Sequence, residues 1–477
     1  MRIARRIPEE DGSGEGGGGS ASNPRTKMKI AVVGGGLAGL TAARALVAAG
    51  VDAHVFEASA RPGGVIETSR VDGFVREHAA SSFLGGPSRG ALALCKQLGV
   101  EVEPASPRAK RRFIYLDGKL RALPRSPIEL ARSDLLTWRG KLDLLREPFR
   151  PARDPDADGD ESMHAFAARR LGAEAARAIV APFVTGVFAA DAHDISFEAG
   201  FPRLAALESH GGLVRGLLRQ TARGLLAKAV GRRTRRTRPG LWAPRGGLNT
   251  LIDALAADLG ARVHTQTKVS RVEPRDGGVV LSIASAAERW DGAVIAIPAE
   301  DAVSIIEQPA LATRLRAFHR APTAVVYLGF PAAALGREHD GFGFLVALGE
   351  NVRVLGVVFE SIVWPDRAPA DHVLLRCIFG GGRDPEAATL PDAALFEHAT
   401  RDVKTVLGIT AAPVHQSVVR CTRGVAQYAV GHREVVRAAV TAARTHKLVL
   451  AGADYRGPGV NDLVADADLI VDEVRAW

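Results

Sequence analysis

Three cysteines in 477 residues, Cys95, Cys377 and Cys421, are too few and too widely spaced for a disulfide framework. The same scarcity argues against zinc, and none of the 13 histidines falls in a metal-binding spacing such as H-E-x-x-H. Both absences fit a reducing compartment. No apolar run reaches the roughly 18 residues that a membrane-crossing helix needs, and the amino terminus lacks a secretory apolar stretch. A cytoplasmic protein is expected, soluble or resting peripherally on the inner face of the cell membrane. Aromatic residues make up only 5% of the chain, and none interleaves with the basic run Arg232, Arg233, Arg235, Arg236 and Arg238. The net charge of +9 therefore does not read as a nucleic-acid platform; a solvated loop or contact with anionic lipid remains. Residues 1–27 hold the Gly/Ser tract 14–20 and read as a disordered arm, with Met28 a candidate true start.

Against this background residues 29–57 stand out. An apolar strand at 30–33 runs straight into Gly34, Gly36 and Gly39 in G-x-G-x-x-G spacing, with Gly35, Leu37 and Ala38 between them. A helix follows over 37–49 with Gly50 as its cap, then a strand at 53–56 that ends on Glu57. Strand, glycines, helix, strand and acid in this order form a dinucleotide-binding βαβ unit. The glycines let backbone approach a pyrophosphate, the helix amino terminus faces its charge, and Glu57 suits ribose hydroxyls. Arg61, Pro62, Gly63 and Gly64 follow as R-x-G-G, which resembles the element trailing this unit in flavoenzymes of the amine-oxidase superfamily. FAD is therefore favoured over NAD.

The closing strands of this unit do not follow in sequence. Residues 105–240 are mostly helical in pattern, with helices at 134–145, 162–171 and 213–228. Strands are expected at 262–272, 279–283 and 293–297, then at 324–330, 343–346, 352–359 and 373–379, followed by a helix at 394–407. A last strand at 448–451, a turn with Gly452, Gly457 and Gly459, and a helix at 461–476 suggest a second approach to the cofactor.

Several runs together resemble the FAD-dependent protoporphyrinogen oxidase family. They include Arg112-Phe113-Ile114-Tyr115, the 181–189 segment from Ala181-Pro182-Phe183, Gly341-Phe342-Gly343-Phe344-Leu345-Val346, Gln427-Tyr428, and 451–462. The resemblance runs from Met28 to the end. It implies an α/β fold: a discontinuous Rossmann-like FAD-binding domain over 28–104, 240–299 and 441–477. A helical, membrane-contact type of domain over 105–239 and a mixed-sheet substrate domain over 300–440 complete it. It implies non-covalent FAD held by Gly34, Gly35, Gly36, Leu37, Ala38, Gly39, Glu57, Ala58, Gly64 and Val65. Ala79, Ala80, Ser81, Ser82, Val269, Ala453, Pro458, Gly459 and Val460 join them. It further implies that Arg112 pairs with a substrate propionate while Phe342, Leu345, Val358 and Ile378 pack on tetrapyrrole rings. The reaction implied is oxidation of protoporphyrinogen IX by hydride transfer to FAD, with oxygen reduced to peroxide and no protein base required. Peripheral membrane contact and a homodimer stay open.

The chain departs from the family pattern at Ala79-Ala80 (usually Gly-Pro), Ala190 (often Gly), Pro458 (usually small aliphatic), Cys421 (usually Trp) and Val425-Ala426 (usually Ile-Pro). These bear on flavin geometry and turnover more than on fold. Three rival readings remain: a coproporphyrinogen III oxidase, an amine or polyamine oxidase, and a non-catalytic flavin-fold protein. The amine oxidase wants an aromatic cage, for which the carboxy-terminal turn offers only Tyr455. A hydrolase reading rests on G-x-S-x-G at 86–90, where Pro87 and the absence of a leading buried strand argue against it.

Overall fold

The computed structural model describes residues 27–86, 90–151, 153, 159–209, 211–229 and 240–477. The Gly/Ser tract, the basic run 232–238 and the centre of the G-x-S-x-G stretch lie outside the described residues.

A five-stranded parallel sheet is ordered Val263–His264, Asp52–Phe56, Lys29–Val33, Gly292–Ile295 and Leu448–Leu450. Three distant stretches of chain thus meet in one sheet. Its central strand alternates faces in strict period two. Ile30 and Val32 join one apolar cluster with Leu40, Leu46 and Val464, while Ala31 and Val33 join another with Leu281 and Trp290. Burial on both sides explains the unbroken apolar run that marks a parallel strand. The helices Leu37–Ala48, Asn249–Leu259 and Val460–Arg475 cover the first face. A three-stranded antiparallel sheet, Val269–Arg275, Gly278–Ile283 and Ala286–Trp290, lies against the second.

The second large layer is a seven-stranded sheet. Its order is His415–Ala426, Arg320–Pro331, His372–Gly380, Gly356–Val358, Gly343–Val346, Phe113–Leu116 and Lys119–Ala122. One face carries Phe344, Val357, Cys377 and Val326 and is packed by Leu395, Ala399 and Val403 of the helix Asp392–Leu407. The opposite face is where the candidate site lies.

Several elements differ from the sequence expectation. The segment after 105, expected to be helical, passes through a short 3-10 turn at Pro107–Lys110 into the hairpin Phe113–Leu116 and Lys119–Ala122, which joins the seven-stranded sheet; its α-helices begin only beyond it. The strand expected at 352–359 is confined to Gly356–Val358, and that at 262–272 is two strands broken at 265–268. The helix expected at 134–145 starts at Trp138, where the Thr137 hydroxyl accepts from the Gly140 N–H and caps it. Strand His415–Ala426 was not anticipated. It is an edge strand rich in polar residues, and its pairing comes from Arg320–Pro331 rather than from its own pattern. No helix of the described residues is long and apolar enough to cross a membrane.

Candidate functional site

The glycine loop 34–39 is built by steric necessity. Gly34 sits at φ +106°, and a Cβ there would lie 2.7 Å from the Ala296 carbonyl oxygen. At Gly39 a Cβ would fall 2.0 Å from the Gly34 carbonyl oxygen, so the glycine sets how closely helix Leu37–Ala48 meets the strand. Gly36 is different: a Cβ there would meet nothing within 4 Å. It caps the helix with no side-chain hydrogen bond and no acid in the first turn. The positive end of a 12-residue helix thus has no acid in its own first turn, and room beside Gly36 for a ligand's negative charge.

Glu57 closes this cradle. Its Oε2 accepts from the Gly35 N–H at 2.7 Å, and its Oε1 accepts from the Ser59 N–H at 2.8 Å and hydroxyl at 2.7 Å. Oε2, with one donor, keeps a lone pair for a ligand hydroxyl. Gly63 donates to the Gly35 carbonyl at 2.7 Å, bringing the R-x-G-G turn beside the loop. Arg61 turns inward to the carbonyls of Gly64 and Ile66 at 3.0 Å each, so this arginine holds the turn rather than facing a ligand. Ala58 is exposed, and Val65 beside the turn is 50% exposed. Val269 is buried, and the backbone leading to it runs along Glu57, with Thr267 N–H donating to the Glu57 carbonyl at 2.8 Å.

The carboxy-terminal turn comes to the same side. Asn461 accepts from the Ala91 N–H at 2.9 Å and donates to the Leu84 carbonyl at 2.7 Å, tying the start of helix Val460–Arg475 to the strand that follows Ala79, Ala80, Ser81 and Ser82. Pro458 and Gly459 are half-buried and Val460 is buried. The Ala453 carbonyl accepts from the Tyr428 hydroxyl at 2.5 Å. Asp454, 2% exposed, accepts from Arg320 at 2.8 Å and from the Ala299 N–H at 2.9 Å. The open N-terminus at Gly36, the glycine cradle and the Glu57 oxygens together fit a dinucleotide.

The second half of the site is the face of the seven-stranded sheet opposite helix Asp392–Leu407. Leu345, Gly356 and Ile378 stand in one cross-strand row, and Gly343, Val358, Arg376 and Tyr327 in the next on the same face. Leu345, Val358 and Ile378 are each half-buried, unlike their neighbours on the packed face. At one end Phe342 donates its N–H to the Arg111 carbonyl at 2.7 Å. The exposed Arg112 guanidinium stands 5.3 Å from the Phe342 ring centre. Glycine at 186 lets helix Ala181–Phe188 approach Leu345: a Cβ there would lie 2.7 Å from Leu345 Cδ2.

A buried charged cluster joins the two halves, and sequence reasoning missed it. The Tyr327 hydroxyl donates to the Glu77 carbonyl at 2.7 Å and accepts from the Glu77 N–H at 3.0 Å. Arg367 donates to the Glu77 carboxylate at 2.7 Å, and Arg376 donates to the Ala79 carbonyl. Glu360 is fully buried with neither oxygen hydrogen-bonded, and burial pushes its carboxyl above the usual range against the pull of Arg376 and Arg367. The available signal was Arg376 alone, one cation inside the apolar run of strand His372–Gly380. Among the described residues no cluster of His, Cys, Asp and Glu could hold a metal ion.

Comparison with known proteins agrees with this geometry. Residues 37–462 match the family described as flavin containing amine oxidoreductase. The protoporphyrinogen oxidase of Bos taurus is 32% identical over 465 residues, covering 91% of this chain and 96% of that protein. The coproporphyrinogen III oxidase of Bacillus subtilis (strain 168) is 25% identical over 482 residues, covering 94% and 98%. Among solved structures, a protein of Exiguobacterium sp. 255-15 provisionally named protoporphyrinogen oxidase superposes with TM-score 0.78 at 23% identity, covering 94% of this chain and 99% of that one. A putrescine oxidase variant superposes at 0.70 and 17%, covering 94% and 100%, which speaks to fold alone. The chain is an oxidoreductase of mixed α/β fold, and it belongs to the flavin-containing amine oxidoreductases, within the protoporphyrinogen oxidase family.

Proposed function

We propose that this protein oxidises a porphyrinogen, protoporphyrinogen IX first, to the corresponding porphyrin with oxygen as acceptor. The observation that carries the reading is the half-buried apolar row Leu345, Val358 and Ile378, edged by Phe342 with Arg112 above it. A tetrapyrrole is a broad apolar disc with anionic arms. Aliphatic side chains on a sheet suit the disc, and a rim guanidinium with no carboxylate partner among the described residues suits a propionate.

Each residue then has a task. Gly36 and the helix behind it hold the pyrophosphate, and Glu57 takes the adenosine ribose. Ala79 to Ser82 and the 453–460 turn line the flavin. No cysteine lies in that turn, which supports non-covalent FAD. A bound flavin supplies the acceptor for hydride leaving a bridge carbon and returns the electrons to oxygen as peroxide. Leu345, Val358 and Ile378 keep water from the bridge carbons, and Arg112 fixes which edge of the disc points outward.

Coproporphyrinogen III is the second substrate to weigh, because Lys110 and Arg111 stand next to Arg112 and are exposed as well. An amine oxidase reading loses ground. Tyr455 is 6% exposed and packs edge-on to Phe318 at 5.0 Å, leaving it no place in a cage around an amine. Peripheral membrane contact through 105–239 gains support: Ile128, Trp138, Leu145, Phe149, Leu217 and Leu218 all expose more than half of their surface there.

The test is direct. Purified protein should be yellow, and protoporphyrinogen IX added in air should give porphyrin fluorescence well above the autoxidation rate. A flavin that neither porphyrinogen reduces would sink the proposal.

A further inference from the structure

Arg383 is a guanidinium beside this face whose charge the mechanism leaves unused. It sits past the end of strand His372–Gly380, and its Nη1 donates to the Thr185 hydroxyl at 3.4 Å and to the Val346 carbonyl at 3.3 Å. Both acceptors are neutral and both distances are long for hydrogen bonds. The carboxylates within Coulombic reach are engaged elsewhere. Asp384 is gripped by Arg353 at 2.6 and 3.0 Å, and Asp191 by the His193 N–H at 2.9 Å and ring at 2.7 Å. Among the described residues no carboxylate forms an ion pair with Arg383. Burial lowers its proton affinity below the usual arginine value even against Asp191 and Asp384, the mark of a cation withdrawn from water without a counter-ion.

Its position gives this charge meaning. Val346 ends the strand that carries Leu345, and Phe342, beneath Arg112, precedes that strand's start. Four residue steps separate the two ends, roughly 13 Å at about 3.3 Å per step. Thr185 neighbours Gly186, which contacts Leu345. A disc lying on Leu345 and Ile378 therefore has Arg112 at one edge and Arg383 at the other.

We propose that Arg383 is a second carboxylate-binding residue, and that it lets the site hold a tetrapyrrole whose carboxylates leave opposite edges. This rests on the porphyrinogen reading and sharpens it. Protoporphyrinogen IX carries its two propionates on neighbouring rings and engages Arg112 alone. Coproporphyrinogen III carries a carboxylate on every ring and reaches both arginines.

The experiment is a binding titration of flavin-loaded protein with the oxidised, unreactive porphyrins protoporphyrin IX and coproporphyrin III, followed by fluorescence. Steady-state kinetics on the two porphyrinogens run beside it. Arg383→Gln should weaken coproporphyrin III about 10- to 100-fold, the worth of one charge-assisted pair, while protoporphyrin IX stays within about twofold. KM for coproporphyrinogen III should rise with kcat held, and Arg383→Lys should recover part of the loss. An equal loss for both porphyrins, or none for either, overturns the inference and leaves Arg383 a tie between Val346 and Thr185. So does a parent protein that binds protoporphyrin IX but not coproporphyrin III, with the porphyrinogen reading intact. A parent that binds neither removes both. An unchanged flavin spectrum and melting temperature show that each variant has folded.

Discussion

Single residues in this protein separate folding from binding. Gly36 and Gly39 belong to one motif, yet their surroundings differ: a methyl at Gly36 enters open space, and one at Gly39 strikes the Gly34 carbonyl oxygen. Gly36 holds φ −71° and ψ 176°, which alanine adopts without strain. Gly36→Ala should therefore leave the melting temperature of the flavin-free protein unchanged while weakening flavin affinity by about 10-fold or more. Gly39→Ala should lower that melting temperature outright. Differential scanning of stripped protein and flavin titration read the two effects apart. Arg112→Ala makes the matching test on the substrate side. It should raise KM for protoporphyrinogen IX by about 10- to 100-fold with kcat nearly held, since the pairing exists in ground and transition states alike.

Asp466 gives a pH signature on the same scale. It is 3% exposed, accepts no hydrogen bond, and lies 3.4 Å from Arg456 in the carboxy-terminal turn. Burial raises its carboxyl from 3.8 to about 6, with Glu473 adding to the rise and Arg456 opposing it. The folded protein thus holds a proton that the unfolded chain has already released. The resulting stability is fully present below pH 3.8 and is lost as pH climbs through about 6. Asp466→Asn should remove this loss. The urea midpoint of the variant should pull ahead of the parent between pH 4 and 7, reaching an advantage of up to about 2–3 kcal/mol. Arg456 keeps Glu473 at 2.6 Å, so the substitution strands no cation. Parallel curves across that range would refute the assignment.

At the level of elements, the seam between sheet and flavin loop is the part to perturb. Tyr327 and Arg376 rise from adjacent strands of one sheet and grip the backbone of Glu77 and Ala79. Arg376→Met keeps roughly the volume but drops the bond to Ala79 and leaves Arg367 as the cation acting on Glu360. We expect weakened FAD retention and a shifted flavin absorbance band, both partly restored in Arg376→Lys. A variant that binds FAD as tightly as the parent with the same spectrum would assign the cluster to stability alone.

This seam also marks where sequence reading stops. The parallel strands and the phosphate loop were legible because local pattern dictates them: an apolar run buried on both faces, then glycines at fixed spacing. Helix Asp392–Leu407 and strand His372–Gly380 were legible from periodicity for the same reason. What escaped depends on partners far along the chain. Strand His415–Ala426 takes its form from pairing with Arg320–Pro331. The hairpin Phe113–Leu116 and Lys119–Ala122 lies in a helical stretch but completes a sheet whose other strands follow 200 residues later. Arg376 and Glu360 acquire meaning only where that sheet meets the 77–82 segment.

The whole molecule shows an asymmetry of surface. Of the 14 most exposed large apolar side chains among the described residues, nine fall between Ile128 and Leu218, which is a fraction of the chain. Scattered exposed apolar residues need no explanation, but concentration in one segment does. Trp138 is 70% exposed and Phe149 82%, each well placed to enter a lipid headgroup layer from helical turns that carry cations nearby, Arg139, Lys141 and Arg146 among them. A porphyrinogen is itself sparingly soluble, so a membrane-facing segment beside the 181–188 helix would shorten its route to Leu345. Burying one such aromatic is worth about 2 kcal/mol. The double variant Trp138→Ser, Phe149→Ser should therefore lower partitioning onto vesicles of mixed neutral and anionic lipid by at least about 30-fold, with kcat in detergent unchanged. Cosedimentation at low and high salt separates the causes. Binding that survives high salt in the parent and vanishes in the variant places the contact on these aromatics; binding that salt alone abolishes places it on the basic residues. A variant that still sediments like its parent at both salt concentrations would mean that the exposed apolar surface serves some other contact.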